Sequence, residues 1–234
     1  HATTLADAAA WIKEQRSHLA AGGQCAFLVR EGALEYPKRK YGNAYALRRE
    51  DVIARILDAA GDAVIVATTG KTGRELFELR EARGEDHAHD FLTVGSMGHA
   101  GAIALGIALH RPEQRVLVLD GDGAALMHMG TMATIGAAAP SNLMHILLNN
   151  EAHESVGGAP TAAAAVLFPA VAVSLGYHIV KTEEEVARAL AELQRADALT
   201  FLEIRTAVGS RADLGRPATT PAENKEALMR TLRG

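Results

Sequence analysis

Two apolar runs separated by one helix length constrain this chain more than any other feature. Val116-Leu117-Val118-Leu119-Asp120 leads into Gly121-Asp122-Gly123, and Leu143-Met144-His145-Ile146-Leu147-Leu148 leads into Asn149-Asn150. Runs of this kind, apolar without alternation, read as buried strands of a parallel sheet. Ala124 to Ala139, rich in Ala and Met, is long enough for one crossover helix between them. A carboxylate and a side-chain amide therefore emerge at the carboxyl ends of two parallel strands, where open α/β sheets bind ligands. The Asn pair begins after 25 residues beyond Gly123. Two oxygen ligands, a Gly-flanked turn and a helix start suit a hard divalent cation carrying a pyrophosphate. Mg²⁺ takes few protein oxygens and completes its shell from phosphate and water.

The same alternation runs through most of the chain. Helices are expected over Arg49–Ala59, Thr72–Arg83, Ala100–Leu109, Pro160–Leu175, Glu183–Arg195 and Ala222–Leu232. Strands are expected over Ala63–Ala67, Phe91–Val94, His178–Lys181 and Thr200–Thr206, besides the two above. Six strands alternating with helices define an α/β fold with a doubly wound six-stranded parallel sheet. Ahead of it, Thr3 or Thr4 can cap a helix to about Ala20, stopped by Ala21-Gly22-Gly23, and Cys25–Val29 reads as a strand. Glu31–Arg49, polar, basic and interrupted by Pro37, reads as a linker. The expected division is thus 1–30, 31–49 and 50–234.

Composition narrows the function. Aromatics make up only 4% of a chain that is 48% hydrophobic, so Ala, Val, Leu and Ile must build the core. A net charge of −4 gives no reason to expect nucleic acid. The single cysteine, Cys25, excludes an internal disulfide and suits a reducing, cytoplasmic compartment; its apolar run predicts buried packing. No stretch is apolar and charge-free enough to span a bilayer. The segment after His1 lacks the basic start and apolar core of a signal peptide, so a processed or truncated chain is expected.

The GDG and NN elements at this spacing resemble the signature of thiamine diphosphate-dependent enzymes. In that family the aspartate, the second asparagine and a main-chain carbonyl two residues later bind Mg²⁺. Here these are Asp122, Asn150 and Ala152. Gly121, Gly123 and Ala124 form the helix start that holds the diphosphate. Thr69, Gly70 and Thr72 match a second diphosphate contact. The loop Gly95-Ser96-Met97-Gly98-His99 matches the one that bends the cofactor: Met97 is the wedge between its rings, and the Gly95 carbonyl accepts from the exocyclic amine. The family's remaining requirement is a glutamate on a separate pyrimidine-binding domain. Glu14, Glu31 and Glu35 match no such motif. The resemblance therefore implies a diphosphate-binding half, with 1–30 the remnant of a pyrimidine-binding domain.

Three segments carry a narrower likeness: Thr68–Phe77, Phe91–Ala100 and Asn149–Gly158. Together they resemble the phosphonopyruvate and sulfopyruvate decarboxylases, from about Gly23 to Ala207. Glu151 stands where a small residue is usual and Ala159 where Gln is usual, and both bear on substrate preference. The resemblance implies decarboxylation of a small anionic 2-keto acid, 3-phosphonopyruvate or 3-sulfopyruvate. An acetolactate synthase-like carboligase and a non-catalytic cofactor-binding fragment stay open beside it. A pyrimidine-binding domain or partner subunit, and a homo-oligomer of two or more copies, are the expected partners. Lys71 and Arg74 are candidates for the substrate's acidic group or the diphosphate. His153 is a candidate proton donor. His99 either lines the cofactor or fills a turn, and His128 and His145 read as structural. His87, His89 and Asp90 read as a polar surface loop rather than a metal site.

Overall fold

A computed structural model describes residues 4–30, 32–33, 41–182, 186–193 and 197–234. The candidate cap Thr3, the linker residues Glu31, Glu35 and Pro37, and the helix ends Glu183 and Arg195 lie outside them. The chain divides into two compact units, residues 1–39 and 40–234.

In the first unit Thr4 caps α1 (Leu5–Glu14) through a capping box with Asp7. The single expected helix breaks at Gln15, and α2 (Arg16–Ala20) follows. Neither helix buries a residue. Residues 23–28 take no regular structure and Val29 forms only an isolated bridge, so the expected Cys25–Val29 strand does not form. The Cys25 thiol is exposed, 3.7 Å from Gln15 Oε1, and not buried packing. A lone strand has no ladder to satisfy its amides.

The second unit is a three-layer α/β body. Its elements run α3 (Arg49–Ala60), β1 (Val64–Ala67), α4 (Lys71–Arg83), β2 (Asp90–Leu92), α5 (Ala100–His110), β3 (Val116–Gly121), α6 (Asp122–Met127), α7 (Gly130–Ala138) and β4 (Leu143–Asn149). A short ribbon of β5 (Ala152–His153) and β6 (Ala159–Pro160) follows, then α8 (Phe168–Ser174), β7 (Ile179–Thr182), α9 (Val186–Leu193), β8 (Thr200–Arg205) and α10 (Pro221–Arg233). The main sheet is six-stranded and wholly parallel, in the order β2-β1-β3-β4-β8-β7.

Strand side chains alternate between two cores. Ile65 and Ala67 join Ile53, Ile56, Leu76 and Leu190 on the face covered by α3, α4 and α9. Val64 and Val66 join Ala104, Ile135 and Phe168 on the face covered by α5, α7 and α8. The helix after β1 and the helix pair after β3 therefore lie on opposite faces. That places the crevice of the doubly wound sheet at the carboxyl ends of neighbouring β1 and β3.

Two expected helices are altered. The β3–β4 crossover is two helices, because Gly130 weakens helix propensity beside the break at His128 and Met129. Pro160–Leu175 is not one helix. Pro160 enters the ribbon, Thr161 caps a single 3₁₀ turn over Ala162–Ala165, and α8 starts only where Pro169 can occupy a first-turn position.

Candidate functional site

The loops after β1, β3 and β4 wall a cavity of about 500 Å³. Thr69, Gly70, Thr72, Met97, Gly121, Asp122, Gly123, Ala124, Asn150, Ala152 and His153 all lie on its wall. Gly95 and Ser96 lie on the exposed loop carrying Met97 and do not line it. That loop takes positive φ at Gly95, Ser96 and Gly98 (70°, 25° and 86°).

Asp122 opens α6 and is 2% exposed. Its Oδ2 accepts a 2.5 Å hydrogen bond from the Thr161 hydroxyl. Burial raises its carboxyl above the ordinary range, against hydrogen bonds from Thr161 and from the backbone amides of Asn150, Asp122 and Gly123. Gly123 follows because nothing larger fits. A Cβ there would stand 2.8 Å from His153 Cε1 and Nδ1 and 3.3 Å from Met97 Cε. Met97, from the loop after β2, and His153, from the loop after β4, thus converge on the first turn of α6.

The two asparagines diverge. Asn149 turns into the sheet, where its Nδ2 donates to Glu203 Oε1 at 2.7 Å. Asn150 faces the cavity; its Oδ1 accepts from the Ala152 amide at 3.1 Å and its Nδ2 donates to Glu154 Oε2 at 2.9 Å. Arg49 Nη1 grips the same Glu154 oxygen at 2.7 Å, and its Nε and Nη2 pair with both oxygens of Glu75 at 2.7 and 2.8 Å. Burial raises the Glu75 carboxyl even against Arg49. Burial also opposes the Arg49 charge, but the hydrogen bonds and charges of Glu75 and Glu154 hold its pKa above the usual arginine value.

Residues expected to be linker brace the same loop. Asn43 Nδ2 donates to the carbonyls of Asn150 and Thr206 at 2.9 and 3.0 Å. The hydroxyls of Tyr41 and Tyr45 donate to Glu151 at 2.8 and 2.7 Å. Glu151 adopts φ 58°, where Gly is at ease and other residues are strained. Its carboxylate is anchored on the tyrosines and does not line the cavity. None of these partners is visible locally: Arg49 is 26 residues from Glu75 and 105 from Glu154.

The other singled-out residues have ordinary places. His145 is buried, with Nε2 3.2 Å from Asp120 Oδ2 and Nδ1 3.1 Å from the Tyr177 hydroxyl. Asp120 Oδ1 accepts the Gly121 amide at 2.9 Å. The His99 and His128 rings lie 4.3 Å apart. His87 lies flat on Phe77 at 4.2 Å and is 2.7 Å from Glu81.

The fit to a cationic diphosphate cofactor rests on three observations. A buried carboxylate stands at a helix start, an oriented amide stands on the adjacent strand, and a glycine cradle admits close approach. Apart from these features, two buried hydroxyls on the wall, Thr68 and Thr93, have no partner among the described residues.

Comparison with known proteins agrees. Residues 68–204 match the thiamine pyrophosphate enzyme C-terminal TPP-binding domain, and the chain belongs to that family. Among its relatives, it is 44% identical to the phosphonopyruvate decarboxylase of Streptomyces viridochromogenes, over 69% of this chain and 40% of that protein. It is 36% identical to the sulfopyruvate decarboxylase subunit beta of Methanothermobacter thermautotrophicus, over 60% of this chain and 72% of the subunit. The chain thus spans about two-fifths of the phosphonopyruvate decarboxylases it matches. The 4-hydroxybenzoylformate decarboxylase of Rhodococcus jostii shares the fold, with a TM-score of 0.55 at 20% identity over 74% of this chain and 35% of that one. No helix among the described residues is long and apolar enough to cross a membrane.

Proposed function

We propose that this chain is the diphosphate-binding half of a Mg²⁺- and thiamine diphosphate-dependent decarboxylase that converts 3-phosphonopyruvate to phosphonoacetaldehyde and CO₂. The observation that carries the reading is the pairing of Asp122 with an Asn150 amide already oriented by Glu154 and Ala152. Asp122, the Asn150 side-chain oxygen and the Ala152 carbonyl would hold Mg²⁺. The amides at the start of α6, with Thr69, Gly70 and Thr72, would hold the diphosphate. When bound, the cofactor supplies the nucleophilic carbon and electron sink that decarboxylation of a 2-keto acid needs. Met97 would fix the bend of the bound group. His153, beside the first turn of α6, would deliver a proton to the product side.

A pyrimidine-binding domain or subunit would supply the missing glutamate. Val94 and Val156, on the cavity wall and 64% and 78% exposed, leave apolar surface for it at the mouth. We place the completed enzyme in the cytoplasm as a homo-oligomer. A second reading is the same chemistry on 3-sulfopyruvate with the halves on separate chains. It is favoured by the 72% coverage of a beta subunit. The test is CO₂ release from each keto acid by this chain alone and with the pyrimidine-binding part restored. The expected result is turnover only by the completed enzyme, faster on phosphonopyruvate. Turnover by the chain alone at the full rate refutes the half-site reading, and faster sulfopyruvate turnover selects the second.

A further inference from the structure

Away from the metal corner, the cavity wall carries groups that the cofactor ligands leave unused. Lys71 and Arg74, on the first turn of α4, and Arg216, between β8 and α10, line it. None of the three pairs with a carboxylate among the described residues, whereas Arg49 is taken by Glu75 and Glu154. Four cations and two carboxylates line the cavity, and Glu75 behind the wall offsets Arg49, which leaves one net positive charge. Thr68 and Thr93, 4% and 7% exposed, line the same wall with hydroxyls that have no partner among the described residues. Buried hydroxyls are normally satisfied, so unpartnered ones on a cavity wall point to a ligand.

The backbone that carries Arg216 is tied down on both sides. Arg211 Nε is 2.7 Å from Glu50 Oε1 and the same guanidinium pairs with Glu78. Glu78 Oε1 accepts the Gly215 amide at 2.6 Å. Beyond Arg216, Thr220 caps α10 in a capping box with Glu223. Asn224 then clamps the edge of β2, accepting from the Leu92 amide and donating to the Asp90 carbonyl, each at 2.9 Å. An exposed arginine with a free side chain on a fixed backbone is suited to reading a ligand.

We infer that Arg216, with Lys71 and Arg74, forms a subsite for the tetrahedral oxyanion of the substrate, a phosphonate or sulfonate, with the Thr68 and Thr93 hydroxyls as donors. The planar guanidinium fork matches two oxygens of such a group. The inference rests on the reading of an acidic 2-keto acid substrate. The rival source of the same chemistry is the cofactor's own diphosphate.

Calorimetry on this chain separates the two. The probes are 3-phosphonopropionate, 3-sulfopropionate and butyrate, titrated into chain saturated with Mg²⁺ and thiamine diphosphate. A separate titration measures the cofactor. The wild type is expected to prefer the two oxyanion probes over butyrate. Arg216→Ala should weaken their binding about tenfold or more and Arg216→Lys by less, with cofactor affinity within about twofold. Unchanged oxyanion binding in Arg216→Ala overturns the inference. So does an equal loss of cofactor affinity, or a wild type that does not distinguish the probes from butyrate. Because the readout is binding, loss of phosphonate affinity without decarboxylation by the completed enzyme would defeat the proposed reaction and keep the subsite.

Discussion

Replacing Arg49 with Met tests whether the Asn150 loop is held by a buried charge network. Arg49 is 5% exposed and Glu75 is 1% exposed. The substitution keeps an apolar stem but removes the two hydrogen bonds to Glu75 and the one to Glu154. Glu75 is then a buried carboxylate with no partner. Breaking a buried pair from one side costs about 3–5 kcal/mol. For a chain of this size each kcal/mol lowers Tm by about 2–4 °C, so a fall of about 6–20 °C is expected. Removing both charges, in Arg49→Met with Glu75→Leu, should recover most of it. The pH dependence has a definite sign. Burial already raises the Glu75 carboxyl, and loss of Arg49 removes the pull that opposes burial. A carboxyl whose folded pKa lies above its unfolded value binds its proton more tightly when folded. Its stabilising effect is present at acid pH and fades as pH rises through the folded value. The deficit of Arg49→Met should therefore be smallest near the ordinary glutamate range and grow toward neutrality. Thermal and urea unfolding from about pH 5 to about pH 8 measure it. A deficit under about 1 kcal/mol, or one independent of pH, refutes the network as a buried ion pair.

Two further substitutions probe the loop itself. Gly123→Ala puts a Cβ 2.8 Å from the His153 ring and 3.3 Å from Met97 Cε. Overpacking of about 1–3 kcal/mol should appear as a loss of roughly tenfold in thiamine diphosphate affinity by calorimetry; unchanged affinity would mean the cradle is slack. Glu151→Gly relieves a left-handed residue, a gain of about 1 kcal/mol, but removes the carboxylate to which the half-buried Tyr41 and Tyr45 hydroxyls donate, leaving Tyr45 with Arg205. It should lower Tm in the wild type and raise it when both tyrosines are Phe; the same sign in both backgrounds would contradict the clamp.

The sequence is a good guide where chemistry is local and a poor one where it is not. Both apolar runs, and Asp122 and Asn150 at their ends, stand where spacing places them, because parallel strands and helix starts are short-range grammar, whereas the expected single crossover helix is broken in two at His128 and Met129. The six strands follow from the same pattern. The order in which β8 inserts between β4 and β7 does not, since no local signal sets it. Pro160–Leu175 reads as a helix from Ala content, yet Thr161 is held by Asp122 and Pro169 resets the start. Arg49, Tyr41, Asn43 and Tyr45 look like linker because their partners are more than 100 residues away for all but Glu75. Arg216 sits in a loop with no motif, and only the fold brings it to the cavity.

The central claim is that Asp122 anchors a cation-bound diphosphate at the end of β3. Titration of thiamine diphosphate with Mg²⁺ into the wild type and Asp122→Ala, with circular dichroism as the fold control, tests it most directly. The account predicts an unchanged fold and an affinity loss above about 100-fold, beyond that of an outer-shell partner. Equal affinity in the two proteins would contradict it.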